Sequence, residues 1–135
     1  MKLFNYLLLS FCFLSFTFAP PKGTIYLQIN NVRNAKGNIA LQLLDGQQKV
    51  LKQIYVTAQK GTVNYQFTDL PNGFYAIQIY HDENNNQKID FGVFGAPTEG
   101  YAFSNNARGF MSAPKFAAQL FELKQTTGQN IKLIY

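Results

Sequence analysis

The chain has 135 residues, enough for one domain and too few for two ordinary ones. It carries 12 Lys/Arg against 7 Asp/Glu, and no two basic residues adjoin. Without a basic run to track a phosphate backbone, nucleic acid is not an expected partner. A composition that is 47% hydrophobic and 16% aromatic excludes a disordered chain.

The ends of the chain differ. Lys2 is followed by Leu3 to Ala19, 17 almost wholly apolar residues, short of the ~20 that span a bilayer comfortably. This layout predicts a secretory signal peptide over 1–19, ending on the small Ala19. Pro20 fits poorly in a protease cleft that needs an extended chain, so an uncleaved anchor is the alternative. No later segment reads as a membrane element. Cys12 is the only cysteine and lies in the apolar run, so residues 20–135 hold no thiol, no disulfide and no cysteine metal site. These residues carry 11 Lys/Arg against 7 Asp/Glu, a mild +4. Folding them buries roughly 65% of the unfolded surface, which suffices for one core.

Residues 20–23 form a short leader, and 24–135 are expected to be one domain. Ile25, Leu27 and Ile29 alternate with polar residues, the period-2 signature of a half-buried strand. Asn34 to Asn38 turns the chain at Gly37, and Ile39, Leu41 and Leu43 continue on one face. Lys49 to Ala58 reads as a strand or a short helix leading into one. Val63, Tyr65 and Phe67 alternate, then Tyr75, Ile77 and Ile79 after the Leu70-Pro71-Asn72-Gly73 turn. A Tyr directly after such a turn predicts a tyrosine corner, its hydroxyl bonded to backbone a few residues upstream. Residues 82–115 have little alternation and read as one long loop. Phe116–Leu123 and the alternating Ile131, Leu133 and Tyr135 close the chain. The expected fold is therefore all-β: an antiparallel immunoglobulin-like or prealbumin-like sandwich of about seven strands.

Within the long loop, Asp82, Asn84, Asn86 and Asp90 place oxygens at every other position, with Lys88 offering its backbone carbonyl. A calcium loop uses this spacing because a tight turn directs alternate side chains onto a hard cation. Gln87 stands at the loop's usual glycine position, Val93 replaces the bidentate glutamate, and Glu99 could complete the shell. The alternative is a polar turn whose Asn and Asp side chains bond their own backbone. Any calcium affinity would be weak, of order 10⁻⁴–10⁻³ M.

His81 is the only histidine, so it cannot build a zinc site with other histidines or cysteines. A triad with Ser104 or Ser112 lacks the G-x-S-x-G elbow, and a capped strand end is the expected role of His81. The second candidate site is Tyr101, Asn105, Asn106 and Arg108, with Phe91, Phe94, Phe103, Phe110 and Phe116 around it. An apolar wall with a few convergent polar groups is how small-ligand sites are built. The competing reading has the aromatics capping the sandwich while Arg108 pairs with Glu99 or Asp90.

The series F-T-D-L-P-N-G-F-Y-A-I (67–77), H-D-E-N-N-N-Q-K-I-D (81–90), F-G-V-F-G-A-P-T-E-G-Y-A-F-S-N-N-A-R-G (91–109) and A-P-K-F (113–116) resembles a family of exported bacterial proteins, domain of unknown function number 2141. The resemblance covers nearly all of 24–135, and 81–109 is its specific part. The L-P-x-G-x-Y segment is shared with prealbumin-like and carboxypeptidase regulatory-like sandwiches. The resemblance implies the sandwich fold and an exported location in the periplasm, outer envelope or outside. It brings no activity and no catalytic residues. The expected function is a non-enzymatic binding module of the bacterial envelope, taking calcium, a glycan or peptide, or a partner protein. The alternative is a hydrolase-like enzyme or enzyme-accessory domain using the 81–109 surface.

Overall fold

A computed structural model describes Ala19 and residues 21–135. The expected signal segment, with Lys2, Cys12 and Pro20, lies outside the described residues except for Ala19. Eight strands form two sheets: β1 (Lys22–Val32), β2 (Asn38–Asp45), β3 (Val50–Thr57), β4 (Gly61–Pro71), β5 (Gly73–Asp82), β6 (Tyr101–Phe103), β7 (Phe121–Leu123) and β8 (Thr126–Lys132). The smaller sheet has the order β4-β1-β8, and the larger runs β3-β2-β5 with β6 and β7 along the far edge of β5.

The alternating apolar residues form the core between the sheets. Ile25, Leu27, Ile29, Ile39, Leu41, Leu43, Phe67 and Ile77 are each at most 2% exposed. Burying Phe67 alone contributes about 1.5–3 kcal/mol. Each strand presents its other face outward, because successive side chains alternate. Tyr75 makes the expected corner: its hydroxyl donates to the Pro71 carbonyl at 2.7 Å. Gly37 holds φ +63°, and a Cβ there would meet the Asp82 carbonyl oxygen at 1.8 Å, so the β1–β2 turn is pressed onto the end of β5.

Two expectations need correction, and one alternative is decided. The sandwich is not wholly antiparallel, because β8 pairs with β1 in parallel, Thr24 opposite Thr126 through Asn30 opposite Lys132. The segment 50–57 takes the strand alternative of its two readings, since its neighbour β2 supplies a partner along its length. Residues 82–115 are not one loop: β6 and a short 3₁₀ turn, Ser104–Asn106, lie within them. β6 is too short to show alternation and forms because the edge of β5 is open to it, with Ile79 opposite Ala102. A single turn of helix, α1 (Phe116–Gln119), separates it from β7.

Candidate functional site

The outer face of the larger sheet carries two rows of side chains fixed by strand register. Gln53, Gln42, Gln78 and Phe103 lie side by side across β3, β2, β5 and β6. Beside them run Tyr55, Ala40, Tyr80 and Tyr101. Directly opposed residues share a face, so register alone assembles this surface. Ala40 is small and wholly buried, leaving space for the flanking tyrosines to meet above it. Burial pushes the Tyr80 hydroxyl well above the usual phenol range, and the neighbouring Tyr55 phenol adds to the effect. Tyr80 therefore remains a neutral phenol throughout the physiological range.

The amides form two separate donor chains, one starting from Gln42 and one from Gln78. Gln42 Nε2 donates to Gln53 Oε1 at 3.3 Å, and Gln53 Nε2 donates to the Tyr55 hydroxyl. Gln78 Nε2 donates to Oε1 of Gln119, which is buried, and Gln119 Nε2 donates on to the Pro114 carbonyl at 3.1 Å. Among the described residues, the side-chain oxygens of Gln42 and Gln78 accept no hydrogen bond.

Residues 87–97 and 109–113 rise beside this face and convert it into a cleft of about 1090 Å³. Phe91 bridges to Pro97, and Gly92 N–H donates to the Ala96 carbonyl at 2.8 Å, making a small hairpin tip. That tip presents Phe94, 100% exposed, and Met111 stands on the second segment at 93%. Tyr101 and Phe103 pack edge-to-face, with ring centroids 6.2 Å apart, and extend the floor. Among the described residues, Lys88 is the one charged residue in the lining.

The expected ligand cluster is divided by the fold. Tyr101 faces the cleft with Phe91, Phe94 and Phe103. Asn105 and Asn106 instead serve the edge of β8. Asn106 Nδ2 donates to the Asn130 carbonyl, and its Oδ1 accepts from the Lys132 N–H, both at 2.8 Å. Asn105 donates to the carbonyls of Ala118 and Leu120 and accepts from Gln129. Their φ values of 51° and 60° give the 3₁₀ turn its shape, a conformation Asn tolerates. Arg108 is exposed and pairs with neither Glu99 nor Asp90. Those carboxylates are taken by other donors, which corrects the expected tie. Arg108 adjoins Gly109, a lining residue of the cleft.

The polar loop is organised around three carboxylates, those of Asp82, Asp90 and Glu99. Asp82 accepts the backbone N–H of Asn86 at 3.0 Å and of Gln87 at 2.8 Å. Asn84 and Asn86 both turn their amides onto Asp90, at 2.6 and 2.9 Å. Glu99, 5% exposed, accepts the N–H of Glu83 and of Asp90 and so staples the two ends of the loop. Gln87 has φ 62°, the left-handed conformation that a calcium loop ordinarily gives to glycine. Among the described residues, no three His, Cys, Asp or Glu side chains converge as a metal-holding group. The oxygens gathered here come from asparagines as much as from carboxylates.

His81 is wholly buried at the sandwich end. Nε2 lies 2.8 Å from the Lys36 carbonyl and Nδ1 lies 2.7 Å from the Tyr135 hydroxyl. Ser104, also buried, receives the Ile77 N–H at 2.9 Å and donates to the Gln119 carbonyl. It fills the gap between β6 and β7 along β5, so the structure does not bring Ser104 to His81. Sequence reasoning missed the glutamine rows. Their signal was Gln42, Gln53 and Gln78 at outward positions of three strands, but joining them requires the strand order.

Fold and site together define an all-β sandwich whose larger sheet has one outer face built into a cleft. The chain belongs to the family described as "Uncharacterized protein conserved in bacteria (DUF2141)", whose model matches residues 27–132. Comparisons with curated proteins and with solved structures return no match.

Proposed function

We propose that this protein is an exported, non-enzymatic binding module of the bacterial envelope, and that the cleft over the larger sheet is its binding site. One observation carries the reading. Gln42 and Gln78 hold neighbouring unpartnered carbonyl oxygens on the cleft floor, under aromatic walls. Both oxygens are open to solvent, and a few convergent polar groups beside an apolar wall orient a ligand. Among the described residues the lining includes no carboxylate and no histidine, so it suits holding a molecule better than acid–base cleavage. Export is supported by Lys2 and the apolar run Leu3–Ala19. The polar loop is proposed as a weak calcium site, held by Asp82, Asn84, Asn86, Asp90 and the Lys88 carbonyl. Support comes from their alternate spacing and from the left-handed Gln87.

A thermal-shift screen of a chemically diverse small-molecule set, run on the wild type and on Gln42→Leu, tests the cleft. Compounds that raise the wild-type melting temperature and lose that effect in the variant are expected. Hits that act equally on both proteins place binding elsewhere. Cell fractionation tests export, and an abundant cytoplasmic pool with an intact N-terminus would count against it.

A further inference from the structure

We infer that the cleft takes a segment of a neutral oligosaccharide, laid across the β3–β2–β5–β6 face. This deepens the binding reading above and rests on it. A sugar ring has a rim of hydroxyls that both donate and accept, and faces made of C–H groups. The floor offers the complement to each. Gln42 and Gln78 present adjacent carbonyl oxygens, and the second N–H of each amide remains available to donate. An amide that donates and accepts side by side matches vicinal hydroxyls. Tyr101 and Phe103 continue the floor as aromatic surface, and the positive edges of C–H groups pack against the negative faces of such rings.

Charge and shape narrow the class. Among the described residues Lys88 is the only charged one in the lining, so a polyanion would find one cation where it needs several. An acyl chain would strip water from Gln42 and Gln78 without replacing their hydrogen bonds. An extended peptide gains affinity by adding to a sheet edge, whereas this cleft lies on a sheet face. A volume of about 1090 Å³ is at the top of the range for drug-sized ligands, so a chain of several rings fits better than a single sugar. The rim is completed by Phe94 and Phe91, 100% and 59% exposed, large apolar groups with no partner in the free protein. A ring bound at the floor lies within the wall they form.

The test is isothermal titration of protein expressed from the full sequence, with maltohexaose, cellohexaose and mannohexaose as neutral probes. Hexagalacturonate, sodium laurate and an uncharged capped heptapeptide serve as the contrasting arms. Binding of at least one neutral hexasaccharide is expected, weakened about tenfold or more by Gln42→Leu and by Tyr101→Ala. The melting temperatures of both variants, measured alongside, separate lost contacts from lost fold. Arg108→Ala, outside the lining, is expected to bind as the wild type does. Binding of only laurate, peptide or the polyanion, sensitive to Gln42→Leu, overturns the sugar class and leaves the cleft as a binding site. A neutral hexasaccharide that binds both cleft variants as tightly as the wild type overturns the placement. If none of the six probes binds, the sugar inference falls, and the small-molecule screen on Gln42→Leu then decides the cleft separately.

Discussion

The hydroxyl of Tyr135 lies 2.7 Å from Nδ1 of His81, and the far side of that ring is held at 2.8 Å by the Lys36 carbonyl. A carbonyl only accepts, so Nε2 carries a hydrogen, and the tyrosine hydroxyl is the partner of Nδ1. The Tyr135 oxygen in turn accepts the Arg33 N–H at 3.1 Å, while the Arg33 guanidinium lies over the tyrosine ring, 4.4 Å from its centroid. Removing the hydroxyl leaves a wholly buried nitrogen without a partner. Tyr135→Phe is expected to lower stability by about 1–3 kcal/mol, read as a shift of the urea midpoint at constant slope. An unchanged midpoint would mean that water replaces the phenol.

Glu83 sets the acid response of the same end of the sandwich. Burial disfavours its charged form, but the bonds from Asn34 and Arg33 outweigh burial and lower its pKa below the ordinary 4.5. Arg33 Nε stands 2.6 Å from one oxygen and Asn34 Nδ2 stands 2.9 Å from the other. A carboxyl group with a lowered folded pKa binds protons more readily in the unfolded chain. Its stabilising contribution is therefore complete above about pH 4.5 and is lost as the pH falls through the lower folded value. Urea midpoints taken at neutral pH and near pH 3.5 should converge in Glu83→Gln relative to the wild type. Equal pH slopes in both proteins would assign acid sensitivity to other carboxylates.

Calcium is expected to stabilise the fold through the 82–90 loop. At ten times its dissociation constant a native-state ligand contributes about 1.4 kcal/mol. Asp90→Asn retains the shape of the side chain on which Asn84 and Asn86 converge but removes its charge, and should abolish the shift. Melting curves that coincide in calcium and in chelator would remove calcium from the loop.

Arg108 is exposed and forms no ion pair with Glu99 or Asp90, so Arg108→Ala should change stability by no more than about 0.5 kcal/mol. A larger loss in a denaturant titration would reveal a tie that the folded structure does not show.

The smallness of Gly37 is a packing requirement. A Cβ at that turn would strike the Asp82 carbonyl, and φ +63° adds backbone strain. Gly37→Ala is expected to cost about 1–3 kcal/mol or more, since the turn and the end of β5 must part to admit it. Thermal unfolding compared with Gly61→Ala provides the contrast, because Gly61 has open space around it and only the φ penalty.

The strands of the core were legible because burial on one face writes itself into sequence as alternation. Ile25, Leu27 and Ile29 on β1, and Ile39, Leu41 and Leu43 on β2, could be read without knowing their partners. Tyr75 was legible for a different reason, since its hydroxyl bonds to Pro71, only four residues away. Local chemistry leaves a local pattern. The calcium-like spacing of Asp82, Asn84, Asn86 and Asp90 was visible on the same ground, and so was the separate identity of the apolar run at 3–19. Tertiary structure alone decided what depends on distant pairing. β6 has three residues and exists because β5 offers it an edge, and the parallel entry of β8 beside β1 follows from a closure that no local segment encodes. Asn105 and Asn106 look like ligand groups in a polar stretch, yet the carbonyls of Ala118 and Leu120 consume the Asn105 amide and the edge of β8, 24 residues on, consumes that of Asn106. Gln42, Gln53 and Gln78 look like scattered outward residues until register sets them in one row. Side-chain periodicity is a property of one strand, while a binding surface is a property of several, so the core could be read from the sequence and the cleft could not.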